Sequence, residues 1–485
     1  MLNEGLKNIV GNENVLDEPE TLDLYAKDES FVQPIRPRCV VKPERVEQIP
    51  EVIKWANQTK TPLVPVSSGP PHFRGDTVPG AGGAVILDLG KLNQIIRIDR
   101  KNRVAMLQPG VTFSQLVPAL RGEGLMPFMP LVPRASKSVI TSELEREPIT
   151  TPRYHWESQD PLRCVEVFYG TGEMMRTGSA ALGELEEQWA VGKAQVRPMG
   201  PAHLDFAKLV QGAQGSMGIV TWGSIGCRPL PEIKKTFLIA SQKVEDLIDF
   251  TYKLLWKKLG EECFVVNNIE FAKLFCKDEH EADVFRSTAP AWLLVFSIEG
   301  YGMLPEQRVE YQEKELMELA QLHGLQPATL IAGITSERVT ETLSGPSYEP
   351  YWKLRDRGGC HDLFFLTTLD RTNEFIAEME RVVGTHNFSP GSVGVYLQPT
   401  VLGCNCHCEF NLAYDPSRAS EINDVKRLDE DAVLAFSKKG AFFNRPYGSW
   451  VDVAYQHATD TISAQRKLKT IFDPNAILNP GKLCF

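Results

Sequence analysis

The chain has 485 residues, 42% of them hydrophobic and 24% charged, which is enough for two domains that each bury a core without disulfide bonds. The 52 Lys and Arg against 62 Asp and Glu give a net charge of -10, which excludes a basic surface for nucleic acid. No leader peptide and no apolar run of roughly 18 residues is visible. The ten cysteines show no paired framework, so we expect reduced thiols and a cytoplasmic protein, with peripheral attachment to a membrane complex left open.

The first part of the chain mixes short helical and strand patterns. Apolar residues at helical spacing predict a helix from Arg45 to Gln58, and Pro65 then leads into a glycine-rich loop. The following elements are predicted in order: strands at Ile86 to Leu89, Ile95 to Ile98 and Val104 to Gln108, and a helix at Phe113 to Leu120. This pattern predicts an α+β domain. It contains no GxGxxG segment between a strand and a helix, which is the usual dinucleotide-binding motif. We therefore expect no tight binding of NAD.

The glycines of the loop point to a phosphate group. Gly69, Gly75, Gly80, Gly82 and Gly83 can adopt positive φ and leave backbone N-H groups open to a pyrophosphate. An ordinary surface turn would use glycine in the same way. The glycine run alone therefore does not decide between the two interpretations.

Beyond Glu232 the pattern changes to longer elements. Strands such as Phe237 to Ala240 and Leu293 to Ile298 alternate with helices such as Val244 to Leu255 and Glu306 to Leu322. The alternation predicts an α/β, ferredoxin-like βαββαβ cap domain. Later stretches, Leu363 to Pro399 and Cys408 to Phe436, favour a second copy of the unit.

Four segments resemble the vanillyl-alcohol oxidase and 4-cresol dehydrogenase family of FAD-linked oxidases. Between Ser138 and Thr177 the chain contains Leu144-Glu145-Arg146, Thr150-Thr151-Pro152, His155-Trp156, and then a strand from Val165 towards Gly178. The other three segments are Pro65 to Leu89, Leu209 to Pro231 and Phe472 to Phe485. The resemblance implies a VAO/PCMH-type FAD-binding domain at residues 1-232, a substrate cap domain at 233-440, and a C-terminal segment at 441-485 that returns to the first domain.

The resemblance also implies which residues contact the cofactor FAD. The expected FAD-binding residues are Ser67, Ser68, Gly69, Phe73, Gly75, Ser138, Thr141, Thr151, Pro152, His155, Gly215, Gly218, Ile219, Val220, Asn479 and Lys482. Tyr396 lies in the neighbourhood where some relatives attach the flavin covalently. Whether the bond forms in this chain is left undecided.

Four residues are expected to carry the catalytic chemistry: Glu145, Arg74, Tyr447 and His407. Glu145 matches the family's acid near the flavin, where a carboxylate can act as base or steer charge. Arg74 stands where these enzymes place a phenolate-binding tyrosine, and their C-terminal Tyr-Arg pair is Tyr447-Gly448 here. An arginine can instead bind a substrate carboxylate through two parallel hydrogen bonds, with Arg445 as a second cation. An exposed or FAD-phosphate-facing position remains the alternative for each arginine.

The segment GCNCHCEF, from Gly403 to Phe410, has the composition of a metal site. On an extended strand its cysteines, at 404, 406 and 408, point to one face, while His407 and its neighbours at 405 and 409 point to the other. The spacing therefore favours a buried strand without a metal. His407 is expected as a pocket residue over the flavin.

The favoured function is an FAD-dependent dehydrogenase that oxidises a small hydroxylated or carboxylated substrate by hydride transfer to flavin N5. Its electrons are expected to pass to a protein or quinone-type acceptor, and the chain is expected to be a homo-oligomer or a complex subunit. One alternative is a 4-alkylphenol or vanillyl-alcohol oxidoreductase that uses Tyr447 and a second, unplaced tyrosine. Another is an electron-transfer flavoprotein subunit without a working substrate pocket.

Overall fold

The computed structural model describes residues 2-152 and 161-485. The first half of the described chain forms short strands and helices. Its strands are β1 Val15–Leu16, β2 Cys39–Val41, β3 Leu63–Val66, β4 Val85–Asp88, β5 Ile95–Asp99, β6 Val104–Leu107, β7 Leu125–Pro127, β8 Leu162–Phe168, β9 Met174–Arg176 and β10 Ile219–Pro229. Its helices are α1 Leu2–Val10, α2 Pro19–Ala26, α3 Gln48–Thr59, α4 Phe113–Gly122, α5 Val139–Leu144 and α6 Leu185–Ala190.

These strands form two sheets. The first has the order β1-β2-β4-β3, with β4 parallel to both β2 and β3, and all four residues of β4 are buried. The second has the order β5-β6-β10-β8-β9, with β7 beside β10, and all its pairings are antiparallel. This confirms the α+β prediction for the FAD-binding part. The stretch predicted as one strand from Val165 is two strands, β8 and β9, because the chain reverses at Gly172, whose φ is +87°.

The second half forms the cap. Its strands are β11 Ile233–Ser241, β12 Cys263–Asn267, β13 Trp292–Gly300, β14 Pro327–Ala328, β15 Leu330–Ile331, β16 Ile334–Thr335, β17 Gly359–Thr367, β18 Val393–Thr400 and β19 Asn405–Tyr414. Its helices are α7 Val244–Trp256, α8 Asn268–Phe275, α9 Glu279–Thr288, α10 Pro305–Leu322, α11 Ser336–Leu343, α12 Thr372–Val383 and α13 Ala419–Lys438.

One antiparallel sheet of seven strands, ordered β14-β11-β13-β12-β18-β19-β17, organises the cap. Its two halves mirror each other, because β12 and β18, the second strand of each half, pair at the centre of the sheet. The third strand of each half, β13 or β19, lies between the first and second strands. The duplicated α/β arrangement expected from the sequence is therefore present, joined into a continuous sheet.

The two faces of this sheet differ in chemistry, as the two-residue period of a strand requires. On β19, Cys406, Cys408 and Phe410 point into the large apolar core shared with α7, α10, α12 and α13. His407 and Glu409 alternate with them on the opposite face. The predicted separation of these residues is confirmed, but Cys404 lies before β19 and is exposed. The polar face over β17, β18 and β19 turns towards the FAD-binding part.

The C-terminal segment returns to the first sheet. Helices α14 Trp450–Tyr455 and α15 Thr459–Phe472 precede an extended stretch in which Leu478 bridges to Leu63 of β3. The Leu63 N-H donates to the Ile477 carbonyl at 2.7 Å, and the Asn479 N-H donates to the Leu63 carbonyl at 2.8 Å. The end of the chain thus lies beside the glycine-rich loop that follows β3. Within the described ranges, no helix has the length and apolar character needed to cross a membrane.

Candidate active site

A deep cavity lies between the FAD-binding part and the polar face of the cap sheet. Its lining comes from the glycine-rich loop, helix α5 and the loop after it, the start of β10, and strands β17, β18 and β19. Several residues predicted from the sequence line this cavity together: Ser67, Ser68, Phe73, Arg74, Thr141, Glu145, Gly215, Gly218, Ile219, Val220 and Tyr447.

Hydrogen bonds from other segments of the chain fix the glycine-rich loop. The Ser68 hydroxyl accepts a hydrogen bond from the Ser138 N-H at 2.9 Å, and the Ser67 and Thr141 hydroxyls are hydrogen-bonded. Arg134 donates to the Gly69 carbonyl at 2.9 Å.

The C-terminal segment supports the same loop. Lys482 donates to the Gly75 carbonyl at 2.7 Å, and the Asn479 side-chain amide donates to the carbonyls of Asp76 and Gln214 at 2.8 Å and 2.7 Å. Lys482 and Asn479 therefore position the loop backbone and do not line the cavity.

This arrangement fits an FAD pyrophosphate. His72 and Phe73 line the cavity, and their backbone N-H groups donate to no acceptor among the described residues, so they are available to phosphate oxygens. Close backbone approach is required at Gly215, which has a φ of +69° and where a Cβ would lie 2.5 Å from the Pro65 side chain. At Gly218 a Cβ would lie 2.4 Å from Val167. Glycine at both positions therefore allows close packing in the wall of the cavity.

Other predicted cofactor residues lie outside the lining. Thr151 is buried, and the carbonyl of Pro152 accepts from the Leu402 N-H at 2.8 Å, which joins this stretch to the cap. His155 lies outside the described residues. Tyr396 does line the cavity, and its hydroxyl donates to Gln398 at 2.7 Å.

Arg74 lies between two aromatic rings. Its guanidinium carbon is 4.9 Å from the centre of the Phe364 ring and 5.4 Å from that of Tyr447. Nη2 donates to Glu147 at 2.9 Å, while Nη1 lies 4.0 Å from Glu145 and makes no hydrogen bond among the described residues. A buried donor without a partner is costly, which makes Nη1 a candidate donor to a bound ligand.

Arg445 approaches the same Phe364 ring, with its guanidinium carbon 4.3 Å from the ring centre. Nη1 donates to the Glu145 carbonyl at 3.2 Å, and its buried Nε makes no hydrogen bond within the described ranges. Burial and the nearby Arg74 cation lower the pKa of Arg445 to about 10. Two guanidinium groups therefore converge on Phe364 and face the cavity.

Glu145 and Glu147, which lie at and just beyond the end of α5, are tied to Lys137. Its ammonium group lies 2.7 Å from Glu145 and 2.8 Å from Glu147, and the Ser142 hydroxyl adds a hydrogen bond of 2.7 Å to Glu147. Although burial acts in the opposite direction, Lys137 and Arg74 lower the pKa of Glu147 to about 2. These two carboxylates and Lys137 form a fixed ionic cluster in the wall of the cavity.

The cap contributes a second ionic cluster that sequence reasoning missed. Lys353 bridges Asp362 of β17 and Glu409 of β19, at 2.7 Å from each. His407 lies 2.8 Å from the other Glu409 oxygen and is 1% exposed, so it stands behind Glu409 and does not line the cavity. Burial lowers the pKa of His407. The alternation along β19 could have identified Glu409, since it shares a strand face with His407.

Tyr351 was also missed. It lines the cavity, and its ring centre lies 5.9 Å from that of Phe73. Its hydroxyl makes no hydrogen bond within the part of the chain that the structure describes, and burial raises its pKa. No group of three potential metal ligands occurs among those residues either.

The chain matches a known family and several curated proteins. The family described as an FAD binding domain matches residues 37-138. The glycolate oxidase subunit GlcD of Bacillus subtilis is 29% identical over half of each chain. The flavoprotein subunit of 4-cresol dehydrogenase from Pseudomonas putida is 23% identical over 98% of this chain and 93% of its own. A D-2-hydroxyglutarate dehydrogenase of Stutzerimonas stutzeri is 22% identical over 99% of this chain and 97% of its own.

The fold has a match among solved structures. A crystal structure of p-cresol methylhydroxylase with substrate bound superposes with a TM-score of 0.84, at 21% sequence identity, over 100% of this chain and 96% of that one. This match shows the fold. The FAD binding domain and the full-length dehydrogenase relatives show that the chain is an FAD-linked oxidoreductase. Residues 37-138 thus match the FAD binding domain family, and over nearly its full length the chain is similar to the flavoprotein subunit of 4-cresol dehydrogenase.

Proposed function

We propose that this FAD-dependent oxidoreductase oxidises a small hydroxylated carboxylate, such as a 2-hydroxy acid. The observation that carries the proposal is the pair of arginines at Phe364: Arg74 and Arg445 both line the cavity, and each has a buried nitrogen without a hydrogen-bond partner among the described residues. A substrate carboxylate would supply acceptors for these donors through charge-assisted hydrogen bonds.

The distribution of charge also supports a substrate whose carboxylate faces Arg74 and Arg445. The lining has equal numbers of cationic and acidic side chains, but they are unevenly placed. The cap wall carries Lys353 with Asp362 and Glu409, an excess of one negative charge. The opposite wall carries four cations against three carboxylates: Arg74, Arg134, Lys137 and Arg445 against Asp76, Glu145 and Glu147. An anionic group is therefore favoured on the FAD-domain side.

Bound FAD supplies the hydride acceptor, its N5 atom. Arg74 and Arg445 fix the substrate carboxylate, which holds the neighbouring carbon in one orientation. Lys137 keeps Glu145 and Glu147 in place beneath the arginines. One relative is named as the flavoprotein subunit of a dehydrogenase, which supports a separate electron acceptor, and we propose a protein or quinone-type carrier for this chain.

The second candidate is oxidation of a 4-alkylphenol. Tyr447 and Tyr351 both line the cavity, and neither hydroxyl makes a hydrogen bond among the described residues. We propose Tyr351 as the second tyrosine of this alternative, because it lines the same cavity. Two such hydroxyls could bind a phenolate oxygen.

An anaerobic screen separates these functions. Purified holoprotein is mixed with 2-hydroxy acids or with 4-alkylphenols, and loss of the flavin's yellow absorbance is followed. We expect the hydroxy acids to bleach the flavin rapidly and the alkylphenols to leave it oxidised. Bleaching by alkylphenols alone would favour the second candidate. A flavin that only chemical reductants bleach would favour an electron-transfer subunit.

A further inference from the structure

Asp76 lies in the glycine-rich loop, two residues after Arg74, and lines the cavity. The peptide groups around it are fixed: Asn479 donates to the Asp76 carbonyl at 2.8 Å and Lys482 to the Gly75 carbonyl at 2.7 Å. The Gly75 N-H is hydrogen-bonded to the Asp28 carboxylate. The backbone of Asp76 is thus held in place in the wall of the cavity.

Five carboxylates line the cavity, and four of them are held by cations. Lys137 lies 2.7 Å from Glu145 and 2.8 Å from Glu147. Lys353 lies 2.7 Å from both Asp362 and Glu409. A carboxylate paired in this way is stabilised as the anion and is a weak proton acceptor.

Asp76 is different. Among the residues that the structure describes, its carboxylate forms no ion pair within 4.0 Å and accepts no hydrogen bond. It is therefore the cavity carboxylate whose oxygens are available to a substrate hydroxyl.

We propose that Asp76 is the catalytic residue that accepts the hydroxyl proton of the substrate as the carbon is oxidised. This inference rests on the proposed function. Glu145, which the sequence favoured as the base, instead keeps Lys137 and Arg74 in place.

The substrate C-H bond breaks, and its hydrogen leaves with the electron pair to the flavin. The O-H bond breaks, its proton goes to an Asp76 oxygen, and the remaining electron pair forms the second C-O bond of the product. The two electrons later leave with the protein or quinone-type acceptor, the hydrogen that the hydride carried is released as a proton, and Asp76 returns its own proton to water.

The surroundings of Asp76 set the pH range in which it can act. Its acidic neighbours are Asp28, Glu145 and Tyr447. Its basic neighbours are Arg74 and Lys482. Burial, followed by repulsion from Glu145 and Asp28, raises the pKa of Asp76 to about 6, while Arg74 and Lys482 oppose the increase. The anion is the active form, so flavin reduction should slow as the pH falls through this value.

The first test uses the unmodified holoprotein with a hydroxy acid that bleaches its flavin. The rate of anaerobic flavin reduction is measured from about pH 5 to about pH 8, and we expect it to fall on the acidic side with a midpoint near the pKa of Asp76. A rate that stays constant across this range would overturn the proposal.

The second test uses Asp76→Asn and Asp76→Ala, with Asp23→Asn as the control because Asp23 is 58% exposed and paired with Arg36 on the surface. Asp76→Asn should keep FAD and bind oxalate, a non-reacting dicarboxylate, with an affinity like that of the unmodified protein. Its flavin reduction should slow by roughly a hundredfold or more and lose the acidic limb of the pH profile. Added formate should partly restore Asp76→Ala but not Asp76→Asn.

The outcomes separate this inference from the proposed function. If no hydroxy acid bleaches the unmodified flavin, the proposed function fails before Asp76 is tested. If the unmodified protein is reduced and Asp76→Asn is reduced at the same rate per bound FAD, with the same pH profile, then Asp76 is not the proton acceptor. If Asp76→Asn loses FAD, the pH profile of the unmodified protein tests the role of Asp76 instead: a fall in rate on the acidic side supports it, and a constant rate overturns it.

Discussion

Replacing Arg74 by alanine is the perturbation that bears most directly on substrate choice. The change removes the guanidinium between Phe364 and Tyr447, and with it the donor Nη1. Glu147 is not left unpaired, because Lys137 remains at 2.8 Å and the Ser142 hydroxyl at 2.7 Å. FAD binding should therefore survive, and the loss should be confined to the substrate.

The size of the loss follows from the contact removed. A charge-assisted hydrogen bond contributes about 1.5 to 3 kcal/mol, which corresponds to roughly a ten- to hundredfold decrease in kcat/KM for a hydroxy acid. Arg74→Lys should recover only part of the decrease, since an ammonium keeps the charge but lacks the planar pair of donors. Stopped-flow reduction at several substrate concentrations, normalised to bound FAD, measures both variants.

Arg97→Ala is the matched control. Arg97 also packs on an aromatic ring, 5.3 Å from the centre of Trp189, and lies 3.5 Å from Asp99, but it does not line the cavity. Arg97→Ala should therefore leave the rate of flavin reduction unchanged. If Arg74→Ala instead releases FAD while turnover per remaining FAD is unaffected, then Arg74 serves the cofactor phosphate and the carboxylate-binding role is refuted.

Three further predictions concern the phenol alternative, stability and the electron acceptor. Tyr447→Phe should change hydroxy-acid reduction little, because the ring still packs on Arg74, and a large loss would refute this by showing that the hydroxyl takes part in the reaction. Burial raises the pKa of Glu270 from 4.5 to about 7, so the stability it contributes is full below its unfolded pKa and is lost as the pH rises through 7. Glu270→Gln should therefore raise Tm relative to the unmodified protein at about pH 8 but not at about pH 5, and equal Tm values at both would refute this. The isolated holoprotein should not reduce NAD when substrate is added. An increase in the absorbance of reduced nicotinamide would contradict this.

Local patterns predicted much of the site. The glycine-rich loop lies where its composition indicated, and the two-residue period of β19 correctly separated Cys406 and Cys408 from His407. A strand pattern does not say how deep a residue lies, so it could not show that Glu409 stands between His407 and the cavity.

Long-range contacts could not be predicted in this way. Arg445 reaches the Glu145 carbonyl across 300 positions of the chain, and Lys353 joins two strands that only the cap sheet brings together. The protonation behaviour of Asp76 depends on the same kind of contact, because Asp28 and Lys482 come to it from opposite ends of the chain. Such pairings depend on tertiary packing, which neither composition nor periodicity specifies.

Carboxylate recognition by the arginine pair is most directly tested by comparing a 2-hydroxy acid with its own amide. The two compounds have nearly the same size and the same reacting carbon, but only the acid carries the charge. Anaerobic flavin reduction is measured for both, giving a Kd and a limiting rate. We expect the acid to react with the higher ratio of rate to Kd, by roughly tenfold or more, and Arg74→Ala to remove most of the difference. Equal ratios for acid and amide in the unmodified protein would contradict carboxylate recognition.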